Sequence, residues 1–249
     1  NLTKEQIIKI CDRKFIGCDQ LILIKKNDIS DASLEFYNSD GGMSGACGNG
    51  TRCIADLLGK ENNKKEIVLT TLSGKLKSNI VGDKIVSTEI GVAKTKWNEI
   101  PLSKELNTNN LGIKINDKNN KEFSGGIAVN VGNPHVIFFV DNNENFEIEK
   151  IGPKIETHSL FPEKCNVTLA TVVNKELIKV RVWERGAGLT KACGTAACAT
   201  AFAAKQNGLV NDKVDIEFST GRLTISIDEN NSIHMKGPVS DIEEINFKI

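Results

Sequence analysis

Two short stretches decide how this sequence reads: MSGACGNGTRC at residues 43–53 and GLTKACGTAAC at residues 188–198. Each holds Ala-Cys-Gly, then a small polar residue, then Gly or Ala, and later a second cysteine. The first cysteines, Cys47 and Cys193, lie 146 positions apart, over half of the 249-residue chain. Aligning them sets Phe36-Tyr37-Asn38 against Val182-Trp183-Glu184, each closing an alternating apolar–polar run. Each run enters a glycine-bearing loop, Asp40-Gly41-Gly42 in one case and Arg185-Gly186-Ala187-Gly188 in the other. Each loop leads to a cysteine, and each cysteine opens a helical pattern. Strand, glycine loop, cysteine and helix therefore occur twice in the same order. The period is far too long for a solenoid and predicts two homologous halves facing each other.

Working outward, the chain is rich in short β-type runs. They fall at 21–24, 33–37, 67–69, 85–90, 126–131, 136–140, 166–173, 178–182, 214–218 and 223–227. Alternation such as Ile178-Lys-Val-Arg-Val-Trp183 predicts half-buried antiparallel strands. Helices are predicted over 4–11, over 50–58 after the first motif, and over 195–206 after the second. The last is alanine-rich and is followed by Gly208, a stop signal. The stretches 60–65 and 107–121 read as solvated loops, the second also as a linker.

Composition narrows the function. Hydrophobic residues make up 39% and charged residues 26%, which supports a globular core. Thirty-two basic residues balance 32 acidic ones, which removes the electrostatic case for binding nucleic acid or an anionic membrane. No apolar run approaches the roughly 20 residues that span a bilayer. The first residues lack the apolar core of a signal peptide, so a cytoplasmic location is expected. The chain begins at Asn1 rather than Met, so a natural start upstream of it is the expectation. Seven cysteines, an odd number, fit a reducing compartment better than a disulfide framework. With no C-x-x-C spacing, a zinc site has little support, and no metal is expected.

A helix N-terminus carries about half a positive charge and several unpaired N–H donors. A cysteine placed there has its thiolate stabilised and its pKa lowered. The glycine that follows, Gly48 or Gly194, lets the backbone approach an anion and aim N–H groups at it. One such motif would suggest a nucleophile or redox thiol. Two suggest a pair flanking one bound carboxylate, suited to removing a proton from one face of a carbon and returning it on the other. Cys11, Cys18, Cys53 and Cys198 read instead as small hydrophobic residues, and His135 as structural.

The segments NSDGG (38–42), ACGNGTRC (46–53), GNPH (132–135) and ERGAGLTKACGTAA (184–197) together resemble the signatures of the diaminopimelate epimerase family. CDRKFIGCDQL (11–21) matches an early segment of that family. The resemblance implies an α+β fold of two pseudo-symmetric halves, each a mainly antiparallel β-barrel-like sheet around a central helix, with the site in the cleft between them. The halves would be 1–95, rejoined by a last strand at 241–249, and 96–240. It implies interconversion of LL- and meso-diaminopimelate without a cofactor, a step toward lysine and the bacterial cell wall. Cys47 and Cys193 would be the acid/base pair. Gln20, Asn38, Asn133, Asn166, Glu184 and Arg185 would bind the substrate, with backbone N–H groups of Gly48, Asn49, Gly194 and Thr195 on the reacting carboxylate. Arg185 suits a distal carboxylate and Glu184 a distal ammonium.

Three positions depart from the family pattern: Gly42 for Ser, Ala196 for Gly, and Cys165 for Thr just before Asn166. The family's opening strand with its Asn-Asp-Phe motif has no counterpart here. The rivals are a histidine-type or proline-type racemase and a thiol redox or ligand-binding protein on the same scaffold. Glu-Arg-Gly-Ala-Gly at 184–188 argues against the proline type. The sequence leaves the oligomeric state open, a homodimer included.

Overall fold

In the computed structural model the described residues are 2–45, 47–72 and 74–248. They divide into two units, Asn1–Thr88 with Pro238–Ile249, and Glu89–Gly237.

The first unit opens with helix α1 (Lys4–Cys11), which starts on a reciprocal Thr3–Gln6 capping box. Strands β1 (Gln20–Lys25), β2 (Ala32–Asn38) and the short β3 (Met43–Ser44) precede helix α2 (Gly48–Asn62). Strands β4 (Glu66–Thr71), β5 (Gly74–Gly82) and β6 (Ile85–Val92) follow, the last carrying the chain toward the second unit. β2 pairs antiparallel with β1 and parallel with β4. Parallel neighbours need a crossover, and α2 supplies it. Its Ala55 and Leu58 pack on Ala32, Leu34, Phe36, Ile67 and Leu69, the inward residues of β2 and β4. Sequence alternation in those strands is thus the imprint of one buried face.

The second unit has a hairpin of β7 (Ile113–Asn116) and β8 (Glu122–Gly125), then β9 (Ile127–Asn130) and β10 (Pro134–Phe139). Helix α3 (Ile148–Glu156) follows, then β11 (Asn166–Asn174), β12 (Leu177–Glu184) and β13 (Gly188–Thr190). Helix α4 (Gly194–Gln206) leads to β14 (Lys213–Phe218), β15 (Gly221–Ile227) and β16 (Ser232–Pro238). The sheet order is β16-β15-β14-β12-β11-β10-β9. α4 touches β9, β10, β11, β14 and β15, so the sheet curls around it. Nearly all of α4 is buried. A helix apolar on every side must be enclosed, and its alanines keep it thin enough to fit. α4 ends as expected: Gly208 sits at φ +65, its N–H reaches Lys205 O, and Leu209 N–H reaches Ala204 O.

The duplication read from the cysteines is also a duplication of pairing. β2 meets β3 through Phe36↔Ser44 and Tyr37↔Met43. β12 meets β13 through Val182↔Thr190 and Trp183↔Leu189, the same pairs 146 residues on. β12 then pairs parallel with β14 as β2 does with β4. Each unit is therefore a mainly antiparallel sheet in which the helix that starts on a cysteine makes a parallel crossover; the second unit has one more, from β10 to β11 by way of α3.

Several expected boundaries shift. The stretch 60–65 is partly helical, since α2 runs to Asn62 and stops at Asn63, which takes a left-handed φ of 51. The stretch 107–121 contains β7, whose Ile113 and Ile115 are buried. The units part between Thr88 and Glu89 rather than between 95 and 96. Residues 241–248 form no strand. Pro238 ends β16, and the tail is held by Val239 N–H on Lys84 O (2.9 Å) and a Lys84–Asp241 ion pair (2.7 Å). Its Phe247 meets Phe15 edge to face at 6.1 Å.

On the other face of the second sheet, α3 packs flush on Trp183. A Cβ added at Gly152 would lie 2.3 Å from Trp183 Cγ. Alanine gains about 1 kcal/mol of helix propensity over glycine, whereas overpacking costs about 1–3 kcal/mol. The overlap falls on the bulky Trp183 side chain at 2.3–2.7 Å and so takes the upper end of that cost; Gly152→Ala is therefore expected to destabilise the protein by about 2 kcal/mol net, read as a lower urea midpoint. An unchanged or raised midpoint would contradict this packing.

Candidate active site

Cys47 and Cys193 occupy equivalent positions. Each is the N-cap of its helix, at φ −143, ψ 101 and φ −141, ψ 114 respectively. This extended conformation turns the chain from the loop into the helix and leaves the side chain at the helix's positive end. Cys47 is half-buried, and its sulfur accepts the Gly50 N–H at 3.3 Å. Its carbonyl takes both the N–H and the hydroxyl of Thr51, each at 2.8 Å. A Cβ at Gly50 would meet Ile22 Cδ1 at 2.4 Å and Cys47 Sγ at 3.2 Å, so glycine lets the helix start seat against β1.

Asn38 ends β2 beside this helix start. Gln20 opens β1 as its cross-strand partner and donates its amide to Asn38 Oδ1 at 3.0 Å. The Asp40-Gly41-Gly42 turn closes with Gly41 N–H on Asn38 O and Asn38 N–H on Gly42 O. Asn49 accepts from the guanidinium of Arg52, a buried residue that sequence reasoning missed. The structure thus gathers Gln20 with Asn38, and Cys47 with Gly48 and Asn49, in the first unit.

Cys193 is 6% exposed. Burial raises its pKa well above the ordinary thiol value, and the negative charge of Glu184 raises it further. A contact with Thr195 Oγ1 at 3.4 Å and the Ala196 N–H oppose this and lose. Here the expectation that a helix start lowers the thiol pKa is overturned, because desolvation of the charged form outweighs the dipole. Cys193 therefore rests as the thiol.

Glu184 ends β12 and accepts the Thr190 hydroxyl at 2.5 Å. Arg185 begins the exposed loop; its N–H donates to Asn166 Oδ1 at 3.0 Å and its guanidinium to Glu163 O at 2.9 Å. Asn166 is buried and donates to Pro134 O at 3.0 Å, so its side chain ties the loop to β10. Asn133, in the turn before β10, shares a 2.8 Å hydrogen bond between its Oδ1 and His135 Nε2. Burial, then the charge of Arg185, hold His135 down at about 3. The ring is neutral at working pH and donates to the Asn133 oxygen. Asn133, Asn166, Glu184, Arg185, Cys193, Gly194 and Thr195 all belong to the second unit.

Glu156 at the end of α3 also escaped sequence reasoning. This buried carboxylate accepts from Trp183 Nε1 at 2.8 Å and from Gly186 N–H at 3.1 Å, bracing the Glu184–Arg185 loop. No motif marks it. Cys165 lies in the core, its thiol on Ile155 O at 3.6 Å, and burial pushes its pKa up. Cys198 is buried in α4, and Cys53 packs against the first core. A cavity of about 570 Å³ in the second unit, lined by Thr171, Lys179, Arg181 and Glu217 among others, contains none of these site residues.

The same fold occurs in solved structures. A phenazine biosynthesis protein of the PhzF family from Bacillus anthracis matches with TM-score 0.65 at 16% identity, covering 98% of this chain and 90% of that one. A hydroxyproline epimerase from Agrobacterium vitis matches with TM-score 0.62 at 13% identity, covering 94% and 76%. The class is therefore the two-unit α+β fold that these proteins share. The sequence model of the diaminopimelate epimerase family matches residues 1–96 and 127–242. A diaminopimelate epimerase of Pelagibacter ubique is 70% identical over all of this chain and 91% of its own length. One of Caulobacter vibrioides is 41% identical over 96% of this chain and 86% of its own. The chain belongs to the diaminopimelate epimerase family, and it is an isomerase.

The charge of Glu184 on Cys193 is open to direct test. Glu184→Gln removes a charge that disfavours the thiolate, so it is expected to lower the Cys193 pKa and speed alkylation. In a Cys47→Ser background, iodoacetamide capture of Cys193 at pH 8, followed by mass spectrometry, should quicken about threefold for each unit by which the pKa falls, because the tenfold rise in thiolate is partly offset by its lower nucleophilicity. Equal or slower capture would contradict the electrostatics described.

Proposed function

We propose that this protein interconverts LL- and meso-diaminopimelate by two-base proton transfer at the α-carbon, with Cys47 and Cys193 as the acid/base pair. The observation that supports it best is the matched N-cap placement of the two cysteines in duplicated β–loop–α units. Cys193, buried and facing the charge of Glu184, rests as the thiol and is the acid that delivers a proton. Cys47, more exposed and receiving an N–H on its sulfur, is the base that removes one. In the reverse direction the roles exchange.

Deprotonation places charge on the α-carboxylate. The N–H groups of Gly48, Asn49, Gly194 and Thr195 lie in the unpaired first turns of α2 and α4 and suit that charge. Arg185 and Glu184 fit the distal carboxylate and ammonium, and Gln20, Asn38 and Asn133 fit its neutral hydrogen-bonding needs. Asn166 serves by fixing the Arg185 backbone. The product would feed lysine and peptidoglycan synthesis in the cytoplasm. The odd number of cysteines fits that reducing compartment. No helix among the described residues is long and apolar enough to cross a membrane.

Cys47→Ser and Cys193→Ser are each expected to lower kcat by at least ~100-fold, the usual worth of a positioned acid or base. Circular dichroism of the protein should show the fold retained. Activity within a few fold of wild type in either variant would contradict the assignment.

A further inference from the structure

The reaction leaves Cys11 and Cys18 unused. Cys11 closes α1 and is buried, whereas Cys18 lies past the next turn and is half-buried. The Cys18 thiol donates to Cys11 Sγ at 3.3 Å. The backbone enforces this approach: Gly17 N–H binds Ile10 O at 3.1 Å, and Cys18 N–H binds Cys11 O at 3.3 Å. Gly17 takes φ +80, and a Cβ there would lie 2.9 Å from Arg13 Cα, so the turn needs glycine to close. An Arg13–Asp19 ion pair of 2.5 Å spans the same turn from outside. Burial, then the neighbouring Cys11 thiol, push Cys18 up to about 12. Reading these two cysteines separately as inert hydrophobes misses what the turn does, which is to hold two sulfurs together.

We propose that Cys11 and Cys18 are an oxidisable dithiol, a modification site that takes a peroxide as co-reactant and closes to an intramolecular disulfide. In the first step the Cys18 sulfur attacks one oxygen of hydrogen peroxide and the O–O bond breaks. A sulfenic acid forms at Cys18, and one water leaves carrying the thiol proton. In the second step the Cys11 sulfur attacks the Cys18 sulfur and the S–O bond breaks. A second water leaves with the Cys11 proton. Two thiols give up two electrons, and one peroxide becomes two waters.

The protonated state of Cys18 makes the first step slow, since the thiolate is the nucleophile. The second is favoured by proximity: the sulfurs need only close from 3.3 Å to the ~2.05 Å of a disulfide. The Cys18 N–H bond to Cys11 O already holds the two backbones side by side. Disulfide formation therefore overtakes further oxidation of the sulfenic acid. The closed ring would fix the turn that leads into β1 and Gln20, a consequence that bears on activity only under the function proposed above.

The test uses the full chain carrying Cys47→Ser and Cys193→Ser, so that its outcome is independent of the epimerase reading. The protein is treated with hydrogen peroxide, remaining thiols are blocked with iodoacetamide, and tryptic peptides are mapped by mass spectrometry. Trypsin cuts after Lys9, Arg13, Lys14 and Lys25, which separates the two cysteines. The expected result is recovery of peptides 10–13 and 15–25 as one disulfide-linked species, released by dithiothreitol, with loss of two thiols per chain. Adding Cys18→Ala should abolish the species and leave Cys11 alkylated. If that variant fails to fold, the map of the parent chain decides alone. Recovery of Cys18 as an unlinked sulfinic acid, or of Cys11 joined to another cysteine, would overturn the proposal, as would two alkylated thiols at 11 and 18 after peroxide had oxidised other cysteines.

Discussion

An α-helix begins with backbone N–H groups that nothing within the helix can satisfy. In each unit a strand ends, a glycine loop turns the chain, and a parallel crossover helix begins on a cysteine. Much else follows from that constraint. The parallel pairing of β2 with β4, and of β12 with β14, requires the helix to run back across the sheet. Its N-terminus then lies at the end of β2 or β12 where Asn38 or Glu184 stands. Positive helix ends and polar strand ends are brought together by topology alone. That is why the same chemistry can be written twice, 146 residues apart.

The two copies have diverged in electrostatics while keeping their geometry. The N-cap dihedral angles agree within 2° in φ and 13° in ψ. Yet Cys193 is buried beside Glu184, and its thiol is held protonated. Cys47 is more exposed and takes an N–H on sulfur. A two-base reaction wants this asymmetry, since one group must start as acid and the other as base. Glu156 and Asn166 each accept one hydrogen bond from the loop that follows Glu184, from Gly186 N–H and Arg185 N–H respectively, and neutral His135 donates one to Asn133.

Much of this was legible in the sequence. Strands with one buried face, such as β2 and β14, show their alternation directly, and the cysteine repeat gave the duplicated order of elements. What was hidden has physical reasons. β5 (Gly74–Gly82) buries only Ser78 and is a strand because β4 and β6 pair with it. α3 lacks a side-chain N-cap and contains Pro153, so no start or stop signal marks it. The braces at Glu156 and Arg52 are ordinary charged residues until packing buries them. The helix-start argument for a lowered thiol pKa failed at Cys193, because sequence cannot reveal how deeply a side chain is buried.

The proposed reaction assigns the proton on the two faces of one carbon to two different sulfurs. Its most direct test is the distribution of solvent deuterium at low conversion, starting from LL-diaminopimelate in heavy water. Two separate bases predict that the meso product carries deuterium at the inverted centre while recovered LL substrate carries almost none. Equal labelling of recovered substrate and product would mean that one group serves both faces, and would contradict the account.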